Sequence, residues 1–402
     1  MTESDTAGSA AGAGSAAGAG TVAGGGSAAG AGSAGSTAAA GTAAGAAEVA
    51  AQRASDRAVK RARVLEILDR AGADSVLLTS AAAVAWYLDG GRQHVSLAAD
   101  PIVAARVGRD LDEVFTTSNE TARLLEEELP VGVVVRDRPW HATLDLPDVP
   151  GPLREQQVEA ELRAARAVLL PGERQRFKEL GADAARAVTD VLLEAEPGWS
   201  ERRVAAEAAG RLIAVGADPL VLLVAGESRA SLPHPLPTDA TLGRRAMVVV
   251  CARRDGLIVN LTRWVSFGPL TDAERDAERR ILQVEAAAFE AMRPGAVLSE
   301  VLDAIAVAYP ANGFDEEQWR RHHQGGAAGY AGRDPRATPS TRDVVRLGQA
   351  FTWNPWVPGA KVEDTVLLAG TPESSYVEPI TVDERWPVAV VNGLERPVTL
   401  ER

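Results

Sequence analysis

The sequence predicts an α+β protein whose C-terminal part is built twice on one plan, and three observations carry that expectation. "EAEPGWSERRVAAEAAGRLIAVG" (194–216) and "EAMRPGAVLSEVLDAIAVAYPANG" (290–313) share an order of features. Each runs from the end of a long helix through a Pro-Gly break and a Ser placed to open a second helix, and stops at a Gly. Each precedes strand-rich sequence, 219–268 and 325–370. Residues 48–150 alternate strand-like and helix-like stretches, the pattern of a small α/β domain.

Residues 1–47 are Ala/Gly/Ser repeat with almost no charge or large apolar side chains, which predicts a disordered tail. Glu3 and Asp5 stand where a secretory signal carries positive charge. "EVAAQRASDRAVKRARVLEILDRA" (48–71) has helical spacing and ends at Gly72. "SVLLTSAAAVAWYLDGGRQHVSLA" follows as a strand, a small-residue helix and a Gly-Gly turn. "PIVAARV", "DEVFTT" and "VGVVV" read as strands, with "SNETARLLEEEL" a helix capped by Ser118 or Asn119. "LPDVPGP" (146–152) marks a boundary. A linker helix is expected within 151–170, and the repeated domain over 171–402, its long helices starting near Glu173 and Thr271.

The net charge of -13, with 42 Lys and Arg spread along the chain and no basic stripe, argues against a nucleic-acid partner. No stretch of about 18 apolar residues offers a membrane span. A lone cysteine, Cys251, excludes an intrachain disulfide and fits a reducing compartment, so a cytoplasmic protein is expected.

Within "MVVVCARRDGLIVNLTRW" (247–264), Asp255-Gly256 is a two-residue hairpin turn. That register sets Cys251 opposite Asn260 and Val249 opposite Thr262, with Val249 diagonally beside Asn260. Two carboxylates at positions 249 and 260 would grip one cation; Val and Asn do not.

Pro-His-Pro at 233–235, the hairpin end "NLTRW", "GGAAGYAGRDP" at 325–335 and "KVEDT" at 361–365 resemble the aminopeptidase P, prolidase, methionine aminopeptidase and creatinase superfamily, peptidase family M24. The resemblance spans roughly 48–370. It implies the pita-bread fold for 171–402, a creatinase-type domain for 48–150 and a homodimer. It also implies where a dinuclear metal site would stand, and there the chain departs from the family. The two metal Asp positions fall on Val249 and Asn260, the metal His on Gly326 and the first metal Glu on Asn354; only the last survives, as Glu363. One carboxylate does not replace the hydration of two divalent ions, so no metal or other cofactor is expected.

Other site positions persist in the resemblance. His234 and His322 match substrate-side histidines, Lys361 replaces an Arg, and Arg333 takes the place of a third His. Arg92 resembles residues that in creatinase reach a partner subunit's site. Creatinase also shows that this fold breaks C–N bonds without metal. By that resemblance His234 is the proton shuttle, aided by His322, with Glu363 binding a cationic group or orienting water. Arg92, Asn260, Arg333, Asn354 and Lys361 are the candidate substrate contacts. Each has a plainer reading: His234 as a surface turn residue, His322 and His323 as the end of a solvated helix, Glu363 as the partner of Lys361, Asn260 as a strand Asn, and Cys251, Trp353 and Trp356 as core. A metal site rebuilt from His322, His323, Asp334 and Glu363 is the weaker alternative. The expected function is metal-independent hydrolysis or lysis of a small amide, guanidino or peptide-like compound. The rival expectations are a retired peptidase that only binds such a ligand, and a metal-dependent X-Pro aminopeptidase with substituted ligands.

Overall fold

Helix starts coincide with the caps that the sequence supplies. Thr271 accepts from the Glu274 N–H and donates its own N–H to the Glu274 carboxylate, a reciprocal box that opens the helix Asp272–Ala291. Ser200 caps the helix Glu201–Ala214 through the Arg203 N–H, and Pro171 with Glu173 opens the helix Pro171–Glu194. In this computed structural model, residues 34–144, 146 and 151–402 are described, with side chains from 47 onward. The helices are α1 (Ala34–Ala71), α2 (Ala81–Tyr87), α3 (Thr121–Arg123), α4 (Glu159–Ala167), α5 (Pro171–Glu194), α6 (Glu201–Ala214), α7 (Asp272–Ala291) and α8 (Leu298–Ala311).

Three sequence expectations need correction. Residues 1–33 of the expected disordered tail lie outside the described residues, but 34–47 are helical, consistent with alanine's high helix propensity. Neither Ser118 nor Asn119 caps α3: Glu120 holds that position without a side-chain bond, while Asn119 donates to the Glu120 carboxylate. Ser299, the counterpart of Ser200, sits inside α8, whose cap is Val297; its N–H donates to the Glu300 carboxylate.

Residues Val49–Arg402 form one compact unit. Its first sheet has the order β4-β3-β2-β1-β5, from β1 (Ser75–Leu78), β2 (Val103–Gly108), β3 (Asp112–Thr117), β4 (Val134–Arg138) and β5 (Leu153–Arg154). The segment expected to be linker therefore begins as an edge strand. A second sheet, β17-β8-β7-β6, combines β6 (Asp218–Ala225), β7 (Arg245–Arg254), β8 (Leu257–Ser266) and the distant β17 (Leu400–Glu401). A third, β14-β13-β10-β9, is made of β9 (Gly325–Ala328), β10 (Ala350–Trp353), β13 (Asp364–Gly370) and β14 (Ser375–Pro379). Between β10 and β13 lies the small hairpin β11 (Trp356–Val357) and β12 (Ala360–Lys361); β15 (Val388–Val391) and β16 (Leu394–Pro397) form another near the C-terminus.

The repeat read from sequence is thus real: α5, α6 and the second sheet mirror α7, α8 and the third. The sheets of the two units are separate and meet where β8 faces β13. The Thr262 N–H donates to the Glu363 carbonyl at 2.9 Å, but at Asn260 the Thr365 hydroxyl replaces the ladder. That hydroxyl accepts the Asn260 N–H and donates to the Asn260 carbonyl. The β7–β8 hairpin has the expected register, Cys251 opposite Asn260 and Val249 opposite Thr262. Asp255 and Gly256, at φ +50° and +73°, make the tight turn.

A buried ionic cluster ties α1 to α5 and to the turn after α2. Lys60 of α1, with no exposed surface, lies 2.9 Å from Glu173 and 3.1 Å from Asp89. Arg176 also reaches Asp89, and the Tyr330 hydroxyl donates to Glu173 at 2.6 Å. Gly90 lies so close to the hairpin tip that a Cβ there would stand 2.2 Å from the Asp255 carbonyl oxygen. Removing the central cation leaves two buried carboxylates without it, so Lys60→Ala is expected to lower stability by about 3–5 kcal/mol in denaturant unfolding. Lys60→Met, which keeps the packing volume, should show how much of that loss is charge.

Candidate active site

The seam between the second and third sheets brings together the positions that resemblance marks as metal ligands. Asn260 and Thr262 come from β8, Gly326 from β9, Thr352 from β10 and Glu363 from the residue before β13. Val249 carries no donor and belongs to an apolar cluster with Leu223 and Trp264. The Asn260 amide donates a long 3.4 Å bond to Thr352. The Asn354 N–H donates to the Gln324 carbonyl, whereas its side-chain Oδ1 is buried without a partner among the described residues.

Glu363, the surviving carboxylate, is fully engaged. Arg333 donates to one oxygen at 2.9 Å; the other accepts from Thr262 at 2.8 Å and lies 3.4 Å from Lys361. Burial alone would raise its pKa, but the charges of Lys361 and Arg333 and the Thr262 bond outweigh it and hold it down at about 2. The cationic partner that Glu363 was expected to find in a ligand is therefore already supplied by the protein.

The backbone has also closed over the metal-histidine position. Gly326 pairs with Thr352 on one side and bridges to Arg336 on the other. A Cβ at 326 would stand 2.3 Å from the Pro335 carbonyl oxygen, and the glycine φ is +150°. No side chain fits there while residues 335–337 hold their course.

Beside this seam three histidines converge. His234, from the Pro-flanked loop, puts its Nε2 3.1 Å from that of His322, a contact in which one ring donates and the other accepts. His323 stacks on His322 with centroids 4.4 Å apart. One ring nitrogen of each lies within 4.8 Å of those of the other two, the sole such group of three His, Cys, Asp or Glu among the described residues. Buried Gln324 fixes the turn by donating to the His322 carbonyl at 2.6 Å. Burial, then Lys361 and the neighbouring rings, pushes His322 down to about 2; burial with Arg333 and Arg336 pushes His323 down to about 3. His234, on the exposed side, is lowered by partial desolvation and Lys361.

Of the residues read from sequence, His234 pairs with His322, and Glu363 pairs with Arg333 and Lys361, with Asn260 and Asn354 on the same seam. Arg92 stands apart. Its side chain is 66% exposed and pairs with Glu127 and Glu128 of its own chain. Asp334 cannot join a rebuilt metal site, because Arg166 engages both of its oxygens. Trp353 is core, its indole N–H donating to the Met292 sulfur, and burial raises the Cys251 thiol to about 12, leaving it inert. Sequence reading undervalued His323 and missed Arg336; the adjacent His-His pair was the available signal.

Two facing helix–helix–sheet units around such a seam define the pita-bread fold. Residues 175–369 match the sequence profile of metallopeptidase family M24, and this domain is similar to that family. A Xaa-Pro dipeptidase of Pyrococcus furiosus is 27% identical over 196 residues, which span 46% of this chain and 55% of that relative. The prolidase of Pyrococcus horikoshii is structurally similar, with a TM-score of 0.67 at 19% identity, covering 81% of this chain and 99% of that one. The dipeptidase PepE of Mycobacterium ulcerans is similar at the same TM-score and identity, covering 88% and 99%.

Two outcomes follow from the geometry. Gly326→His is expected to lose roughly 1–3 kcal/mol by overpacking, seen as a lower unfolding midpoint, without gaining bound metal. The second concerns pH. An unfolded histidine titrates near 6.5, so at lower pH the unfolded chain binds protons that the folded His322 excludes, and stability falls with pH. His322 contributes up to about 1.4 kcal/mol per pH unit to that slope. His322→Gln should flatten it in denaturant titrations at pH values below 6.5.

Proposed function

We propose that this protein is an M24-family hydrolase or lyase acting on a small amide-, guanidino- or peptide-like acid without a dinuclear metal centre, with His234 moving the proton. One observation carries the reading: the surviving family carboxylate, Glu363, is enclosed by Arg333, Lys361 and Thr262. Two divalent ions would have to displace those cations and then rely on two neutral amides, a valine and a glycine. The donor set does not fit a dinuclear centre, and the chemistry is left to the protein's own groups.

Those groups have distinct tasks. Lys361, Arg333 and Arg336 outnumber Glu363, so the cleft suits an anionic substrate group such as a carboxylate, rather than the cation expected from sequence. The unpartnered Asn354 Oδ1 is an acceptor for a substrate N–H. His322, held neutral, shares a proton position with His234 across 3.1 Å, and His234 has solvent access for proton exchange. A second reading, a cleft that binds without turnover, is favoured by one feature: among the described residues the His322 Nδ1 has no carboxylate or carbonyl to orient the ring, as relay histidines have.

The test combines elemental analysis with a screen of X-Pro dipeptides, guanidino acids and small amide acids in the presence of a chelator. The expected result is no pair of divalent ions per chain and turnover that survives chelation. His234→Ala should lower kcat by roughly 10²-fold or more, the usual scale of a lost acid–base group. Saturable binding without product would select the second reading. Chelator-sensitive X-Pro cleavage with two ions per chain would sink both.

A further inference from the structure

We propose that His234, His322 and His323 form a mononuclear site for a borderline first-row transition-metal ion, of the Zn²⁺, Ni²⁺ or Co²⁺ kind, whose binding withdraws His234 from proton transfer. The site is separate from the family's metal positions, since none of residues 249, 260, 326, 354 or 363 contributes to it. Its existence stands on the histidine geometry alone; its effect on turnover rests on the role proposed for His234.

Metal–imidazole bonds of about 2.0–2.1 Å set the nitrogens of a tetrahedral shell roughly 3.3 Å apart. His234 and His322 already stand 3.1 Å apart, and no pair in the group exceeds 4.8 Å. Half-buried His323 thus has to close by no more than about 1.5 Å, the difference between 4.8 Å and that spacing. The scaffold is prepared for this. Prolines on both sides restrict the loop of His234, and Gln324 holds the backbone of His322.

A second observation points to a ligand. The Nδ1 atom of His323 is buried without a hydrogen-bond partner among the described residues. Buried polar nitrogens ordinarily find a partner, and one beside two other imidazoles is an arrangement that an ion completes. The rings of His322 and His323 are held unprotonated by burial and by their cationic neighbours, which is the ligand form of imidazole.

The surrounding charge sets the selectivity. Lys361, Arg333 and Arg336 oppose a divalent ion, and Glu363 is already neutralised. Ions that depend on anionic oxygen, such as Mg²⁺, Ca²⁺ and Mn²⁺, gain nothing here, whereas Zn²⁺, Ni²⁺ and Co²⁺ draw on imidazole. An ion in the trio keeps open positions, which the same cations favour filling with an anionic ligand. Because it uses the imidazole lone pairs, the ion and the transferable proton compete for the same nitrogens.

The full-length protein, stripped with a chelator and dialysed, is titrated with Co²⁺ and followed by visible d–d absorption, then with Zn²⁺ by calorimetry. The expected result is one ion per chain with a four- or five-coordinate cobalt spectrum. His322→Gln and His323→Ala should each abolish that spectrum and weaken Zn²⁺ by more than ~10-fold, the scale already seen for loss of groups that merely orient ligands. The exposed His141→Ala should bind as the parent does, and circular dichroism of His323→Ala checks that its fold is kept. An octahedral spectrum, or an affinity that both trio variants leave unchanged, overturns the site. Zn²⁺ should suppress turnover in proportion to occupancy in the parent and not in His323→Ala. Occupancy without suppression overturns the competitive role alone. A bound ion in a protein with no turnover at all counts against the proposed enzyme and leaves the site standing.

Discussion

Glu363 and the two cations that hold it are the interaction on which the rest of the site depends. The carboxylate joins the sheets through Thr262 on β8, draws in Arg333 from the segment after β9 and anchors Lys361 at the end of β12. A buried ion pair adds little net stability when intact, but removing either side leaves an uncompensated charge in a low dielectric. The closed pairing therefore constrains the seam more than it stabilises it. It also decides the sign of the cleft, because a carboxylate used twice internally has no charge left for a ligand.

The histidines take their character from that decision. With Lys361, Arg333 and Arg336 nearby and burial on one side, His322 and His323 do not accept protons at neutral pH, and His234 is left with solvent access. A neutral imidazole is at once a hydrogen-bond partner, a route for a proton and a metal ligand. Which of these is realised depends on what the cleft holds. The N-terminal part acts at a distance: Lys60, Asp89 and Gly90 clamp the tip of the hairpin whose other end carries Asn260 and Thr262.

Local sequence made much of this legible. The hairpin register followed from one Asp-Gly turn and strand alternation, since a slip of one residue would expose its apolar face. The paired helices followed from caps and breaks at matching intervals. The cap at α8 failed because the tertiary path placed Ser299 against Arg342 rather than at the helix start. Asp334 misled for a plain reason. A charged residue in a suggestive motif is available only if no partner lies nearby, and Arg166 is remote enough in sequence to be invisible beforehand.

By itself the sequence determined the element types, the two-fold plan and the absence of donors at 249 and 326, because periodicity, turn chemistry and side-chain identity are local properties. Only the tertiary structure decided that Arg333 joins Lys361 on Glu363, that residues 335–337 fill the space over Gly326, and that His323 joins His234 and His322. Those are contacts between segments from about ten to about ninety residues apart, and their energies arise from desolvation and packing, which do not exist until the sheets meet.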